Sequence, residues 1–121
     1  MKTIYETTVT KLGPEVEAFL EEKILVLFKG NAPAELAEYC VLHEENVLHE
    51  DIEAKDELRL KDKIFTITSV GSAVTKNLSE LGHITLKFDG NTEPDLPGTL
   101  CLENKEVPTF QEGDKIEIVR N

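Results

Sequence analysis

The chain has 121 residues, 40% of them hydrophobic and 31% charged, with a formal net charge of -11. That composition belongs to a folded chain with one modest core, not to a disordered one. The charge argues against nucleic acid and anionic membrane surfaces, which need clustered Lys and Arg, and leaves a basic protein partner open. The longest apolar run, Ile24 to Phe28, is far too short to span a bilayer. The first residues, MKTIYETT, contain no apolar signal core, so a cytoplasmic protein is expected. Cys40 and Cys101 are too few for a disulfide framework and are expected as reduced thiols.

Ile4 to Thr10, rich in Thr, Tyr and Val, reads as a strand. Gly13-Pro14 opens a helix whose apolar face is Val16, Phe19 and Leu20, ending near Lys23. Ile24 to Phe28 is a buried strand, apolar on both faces. After the loop Gly30-Asn31-Ala32-Pro33, Pro33 to Ala37 has room for one helical turn. Tyr39 to His43 is a short strand, with Tyr39, Val41 and His43 on one side and Cys40 and Leu42 on the other. Glu44-Glu45-Asn46 reads as a polar break. His43 is therefore expected exposed, at a strand end beside a loop, a common placement for a site. Val47 to Ala54 is poorly patterned and reads as loop, with room for a short strand. Leu58 to Leu60 and Ile64 to Val70 flank Lys61-Asp62-Lys63 as a hairpin.

Thr66 to Gly90 combines a strand end, a glycine turn, a short helix, a helix stop and a second strand. Val70-Gly71-Ser72 predicts strand, turn and helix N-cap, with Ser72 accepting from a first-turn amide. Val74, Leu78 and Leu81 form one apolar stripe, and Gly82 sits where a left-handed residue ends a helix. Ile84, Leu86 and Phe88 then alternate with His83, Thr85 and Lys87 as a half-buried strand. Asp89-Gly90 closes it as a turn. Asn91 to Pro97 is a loop, Thr99 to Leu102 a strand, Asn104 to Gly113 a connector and Lys115 to Val119 a last strand. No internal repeat is expected. The sum is a mainly β chain, a single domain over residues 1–121, with about six to seven short strands and two short helices. Many turns and no βαβ rhythm favour a small barrel over a parallel sheet.

Three histidines, His43, His49 and His83, are the candidates for chemistry. Imidazole is partly neutral near pH 7 and can act as a nucleophile or phosphoryl acceptor; the plain alternative for each is a surface histidine. Gly71-Ser72 opens a helix, so its amides are candidates for contacting a phosphate oxyanion, although a lone glycine there is first a turn. Cys40 and His43 have metal-ligand spacing, with His49 or His83 to complete a set, but their strand parity points them apart and no second close ligand pair exists. No metal or cofactor is expected.

The segments IYETTVTKLG at 4–13, Ala32-Pro33, EYCVLH at 38–43, SVGSAVTKNLSELGHITLKFDG at 69–90 and Pro97-Gly98-Thr99 resemble the glucitol/sorbitol-specific enzyme IIA of the bacterial phosphoenolpyruvate-dependent sugar phosphotransferase system. The tail from Leu100 to Asn121 matches more loosely. The resemblance implies a small closed β-barrel with two helices. It implies a carrier that takes a phosphoryl group from the phosphocarrier protein HPr and passes it to the IIB domain of a membrane permease, whose IIC partner admits glucitol. The accepting histidine falls on His43. His83, the histidine of Leu81-Gly82-His83, is assigned a supporting role toward the phosphoryl group or the His43 ring. The position two residues beyond the acceptor, a histidine in some members, is Glu45 here, so no two-histidine relay is expected in this loop. A homodimer by exchange of the N-terminal strand is left open. The competing readings are a regulatory or binding module on the same barrel, and a metal-binding barrel.

Overall fold

The computed structural model describes residues 1–30 and 32–121; Asn31, expected in the loop after the second strand, lies outside the described residues. The elements are β1 Lys2–Leu12, α1 Val16–Glu21, β2 Ile24–Lys29, α2 Ala34–Ala37, β3 Cys40–Leu48, β4 Glu57–Leu60, β5 Lys63–Val70, α3 Val74–Leu81, β6 Ile84–Lys87, β7 Thr99–Leu102 and β8 Lys115–Arg120. The strands close into one barrel in the order β1-β3-β2-β6-β7-β5-β4-β8. Among the described residues there are thus eight strands and three short helices, against the six to seven and two expected. The closed, mainly β barrel itself is as expected. Two pairs, β2–β3 and β6–β7, are parallel, so the barrel is mixed. Their connections are far shorter than a full βαβ unit and leave no such rhythm in the sequence.

The two halves of the chain repeat one design, which corrects the expectation of no repeat. Thr8, Thr10, Gly13, Val16 and Leu20 recur as Thr66, Thr68, Gly71, Val74 and Leu78 at a constant offset. The backbone bonds recur with them. The Gly13 amide donates to Cys40 O (3.1 Å) and the Gly71 amide to Thr99 O (2.9 Å). Lys55 donates to Ile67 O and Gly113 to Val9 O, at 2.8 and 2.7 Å. The side chain of Asp56 accepts from the Glu53 amide (2.9 Å), and that of Asp114 from the Gln111 amide (2.8 Å). The unit β1-α1-β2-β3-β4 therefore returns as β5-α3-β6-β7-β8, and the barrel order shows it: β1-β3-β2 is met by β6-β7-β5. A side chain at Gly13 or Gly71 would run into the crossing backbone at Ala37 or Pro97, which explains glycine at both strand–helix turns. The repeat hides in sequence because its shared residues are sparse and of ordinary core and turn types.

Inward-facing residues of the strands fill the barrel, among them Ile4, Val9, Leu27, Val41, Leu60, Phe65 and Leu102. A second cluster lies outside β2 and β3, where Val26, Phe28, Cys40 and Leu42 meet Phe19, Leu36 and Tyr39. The parity expected for β3 holds for Cys40 through His43. Tyr39 precedes the strand and joins the outer cluster, stacked on Phe19 at 5.0 Å. β1 is hydrogen-bonded on both edges, to β3 and β8. A dimer formed by exchanging this strand would require it to leave both.

Three local expectations are corrected. Glu44-Glu45-Asn46 does not end the strand: β3 runs on to pair Leu48 with Tyr5, across a register shift between Glu6 and Thr8. Glu45 (φ 62) and Asn46 (φ 51) take the left-handed conformation of a bulge there, a conformation unusual outside glycine. Ser72 does not cap α3. The cap position is Ala73, without a side-chain bond, and its amide donates to Pro97 O at 2.9 Å. Leu81 leaves the apolar stripe and stands 48% exposed, while Val74 and Leu78 are buried. Gly82 ends α3 as expected, at φ 63. The Gly82 amide donates to Leu78 O at 2.9 Å, the 5→1 bond of an αL stop, and the His83 amide donates to Asn77 O at 3.3 Å.

Candidate functional site

The bulge and the helix stop converge on His43. With β3 continuing past it, His43 lies mid-strand, beside Val9 of β1 and Lys29 of β2, on the same inward face as Val41. The residue is 0% exposed, not the exposed strand-end histidine expected from the polar break. Its Nδ1 lies 2.7 Å from Oγ1 of Thr7, and its Nε2 lies 2.7 Å from the carbonyl oxygen of Gly82. A carbonyl only accepts, so Nε2 carries a proton in this arrangement.

Thr7 is buried as completely as His43. Its hydroxyl oxygen also touches the Glu44 carbonyl and accepts the Asn46 amide at 3.2 Å. Asn46 extends the network: its Oδ1 accepts from the Tyr5 hydroxyl (2.7 Å), and its Nδ2 donates to Leu78 O in the last turn of α3 (2.9 Å). The polar side chains around the ring are thus tied to both β1 and α3.

Burial holds the His43 proton affinity below that of an ordinary histidine, because the charged ring would be cut off from water. The carbonyls of Gly82 and Glu44 and the Glu44 carboxylate oppose this, and Lys29 reinforces it. The balance is a neutral imidazole near pH 7. Glu44 and Glu45 are both exposed, and Glu45 is paired with Lys115 at 3.0 Å. Burial likewise raises the Tyr5 phenol, which stays protonated as the donor to Asn46.

The other sequence candidates fall in different places. His83 is half-buried on the outside of the same corner, its ring 4.9 Å from that of Phe28. Its Nδ1 donates to Leu27 O at 3.2 Å, and among the described residues no hydrogen bond joins it to His43. Gly71 and Ser72 sit at the start of α3, whereas Gly82 and His43 meet at its end, roughly 12 Å away along the helix axis. The Gly71 amide is spent on Thr99 O, so this pair is not brought to His43. His49 lies exposed beside Glu6 at 3.4 Å. Cys40 faces the outer cluster and His43 the interior, so they make no ligand pair.

Sequence reading passed over Thr7, Asn46 and Lys29. The signal for Thr7 lies in the repeat. Val9 pairs with His43 as its counterpart Ile67 pairs with Leu102. The counterpart of Thr7 on β5 is Phe65. One half therefore holds threonine and histidine where the other holds Phe65 and Leu102, both 0% exposed.

The closed mixed barrel is that of an IIA component of the sugar phosphotransferase system. The chain is similar to a solved structure described as the PTS system IIA component from Enterococcus faecalis V583, with a TM-score of 0.82 and 26% identity over 95% of this chain and 99% of that one. The family model described as PTS system glucitol/sorbitol-specific IIA component matches residues 4–117. The chain is also similar to the glucitol/sorbitol-specific EIIA components of Shigella flexneri and Escherichia coli K12. Each is 39% identical over 100 residues, which cover 83% of this chain and 81% of the relative. The chain belongs to the glucitol/sorbitol-specific IIA component family, as the sequence resemblance implied. Among the described residues no helix is long and apolar enough to cross a membrane.

Proposed function

We propose that this protein is a phosphohistidine carrier, with His43 accepting a phosphoryl group from phosphorylated HPr and delivering it to the IIB domain of a glucitol/sorbitol permease. The observation that carries the residue assignment is the contrast between the two halves. His43 occupies a place in the barrel that Leu102 fills with hydrocarbon in the repeat. A buried polar ring is costly there and contributes nothing that leucine does not supply to packing, so its retention points to chemistry.

Transfer would run in line between two imidazoles through a loose, metaphosphate-like state, where the protein supplies position and hydrogen bonds rather than covalent help. Burial favours the neutral ring that such an attack needs. Both ring nitrogens are occupied here, so acceptance requires the α3–β6 corner at Gly82-His83 to swing away. His83 supports that corner through Leu27 O and Phe28 and does not bond the ring. Gly71 and Ser72 hold the far end of α3 and are not assigned to the phosphate. The partner surface would centre on this corner, with Leu81 exposed at its edge and the carboxylates of Glu44 and Glu45 facing a basic carrier.

The test is phosphorylation by phosphoenolpyruvate, enzyme I and HPr, read by intact mass at neutral pH beside His43→Gln. Acid-labile phosphate on the wild type and none on the variant is the expected result. Phosphate on both would move the acceptor to His83 or His49. None on either, with HPr itself labelled, would refute the carrier reading.

A further inference from the structure

We propose that Thr7 is a positioning residue for this transfer: its hydroxyl, set between Nδ1 of His43 and the carbonyl of Glu44, selects the ring tautomer that leaves Nε2 as the accepting nitrogen. The inference rests on His43 being the acceptor and adds to that reading a second residue and a choice of ring atom.

A hydroxyl has one proton, and two acceptors contend for the proton of Thr7. In the sealed arrangement Nε2–H donates to Gly82 O (2.7 Å), so Nδ1 holds a lone pair and Thr7 donates to it (2.7 Å). The ring then offers no free lone pair. When Gly82 moves aside, Nε2 loses its acceptor. The better arrangement is now Nδ1–H donating to Oγ1 of Thr7 while the hydroxyl turns its proton to Glu44 O, an acceptor already in contact. The Asn46 amide keeps its bond to the same oxygen in both states. Every buried group is satisfied and the Nε2 lone pair faces the opening.

The choice of nitrogen follows from what covers each one. Nδ1 lies under β1, which is paired on both edges, while Nε2 lies under one glycine at a helix end. Opening the second side breaks far less structure than opening the first. The repeat supplies independent support for Thr7. Phe65 stands at its counterpart, fully buried, so the barrel closes at that place without a hydroxyl.

The step balances. On opening, solvent takes the Nε2 proton and Nδ1 gains one, so the ring stays neutral. The Nε2 lone pair forms the new N–P bond as the N–P bond of the donor phosphohistidine breaks, its electron pair remaining on the donor nitrogen. A donor ring protonated at its other nitrogen leaves neutral. His43 ends as the Nε2-phosphoimidazolium, its Nδ1–H held by Thr7.

Three measurements test this on the full chain. Long-range proton–nitrogen NMR of the phosphorylated wild type should place phosphorus on Nε2 and the proton on Nδ1. Rapid-mixing transfer from phosphorylated HPr should be slower by ten- to a hundredfold in Thr7→Val, a loss of the size that misplaced reacting groups produce. Thr7→Ser, which restores the hydroxyl, should recover to within about threefold on the same positional argument. Urea denaturation monitors folding of each variant. Phosphate on Nδ1, or a Thr7→Val variant that transfers at the wild-type rate, would overturn the proposal. Should Thr7→Val not fold, the nitrogen assignment on the wild type and the rate of Thr7→Ser still decide it. Label retained on His43→Gln would instead bring down the acceptor reading beneath it.

Discussion

Replacing Gly82 with alanine would press a methyl group into the corner that seals His43. The backbone there lies at φ 63 and ψ 22, where a residue with a Cβ pays roughly 1–2 kcal/mol. The new Cβ would stand 2.9 Å from Cβ of Lys29 and 3.1 Å from both the Lys29 amide nitrogen and Cε1 of His43. None of these is the free end of a flexible chain, and such overpacking costs about 1–3 kcal/mol. The sum is about 2–5 kcal/mol, a large share of the 5–15 kcal/mol typical of a domain. Gly113 is the control. It too has positive φ, 93, but nothing lies within 4 Å of a Cβ built on it. Gly113→Ala should therefore lose only the backbone term, about 1–2 kcal/mol. Urea denaturation, with unchanged m-values, compares the two directly. Gly82→Ala should have the lower midpoint by the crowding term. Equal losses in the two variants would mean that the corner has room to spare, and that it does not press on the histidine as described.

His43→Leu copies Leu102 and should change how stability depends on pH. Burial lowers the folded-state proton affinity of His43, so the unfolded chain binds the proton first. Its contribution is fully present above about pH 6.5 and is lost as pH falls from there through the folded-state value. Urea midpoints at pH 7.5 and 5.5 should fall further for the wild type than for the variant, and parallel declines would contradict the argument. Asp56 accepts from Arg120 at 2.8 and 3.0 Å and from the Glu53 amide while only 3% exposed. Its counterpart Asp114 accepts the Gln111 amide and, among the described residues, is paired with Lys61 alone, at 3.5 Å. Asp56→Ala should cost about 2–4 kcal/mol and Asp114→Ala about 1 kcal/mol in thermal denaturation; equal costs would show that the arginine adds nothing. Burial pushes the Cys40 thiol up to about 11, and Cys101 is also raised. Both should react with a thiol reagent only in denaturant, and fast labelling of the native protein would contradict their burial.

What the sequence made legible was local. The glycine stop at Gly82, the hairpin turn at Lys61-Asp62 and the parity of Cys40 through His43 follow from neighbours a few residues apart. The missing pieces depend on distant partners. Glu45 is a poor candidate for left-handed backbone, although Asn46 suits it better, and both adopt it because β1 pairs on both sides of the bulge. Their polarity suggested the end of a strand, and with it an exposed His43. Ser72 had the chemistry of a cap, but the crossing backbone at Pro97 took the amide beside it. Thr7 looked like one more threonine in a strand full of them. Its significance appears only when β1 is laid over β5.

That overlay also explains why Gly82 is glycine. The residue that ends the equivalent turn after α1 is Lys23, which holds φ 61 with a full side chain. Left-handed backbone at this corner therefore does not by itself demand glycine. The difference lies in what approaches. The Lys23 carbonyl accepts the Phe88 amide at 3.0 Å, a main-chain partner, whereas the Gly82 carbonyl accepts an imidazole whose Cε1 would stand 3.1 Å from any Cβ placed there. With Leu102 in the place of His43, the first corner meets no such ring. Glycine at 82 is thus tied to the ring of His43 and the closeness of Lys29 rather than to the helix stop. Histidine at 43, threonine at 7 and glycine at 82 form one set of departures from the repeated design, confined to one half of the barrel. In the proposed mechanism the same glycine serves access as well: with no side chain at 82 the corner seals the ring closely, and its opening has to release the His83 contacts to Leu27 O and Phe28.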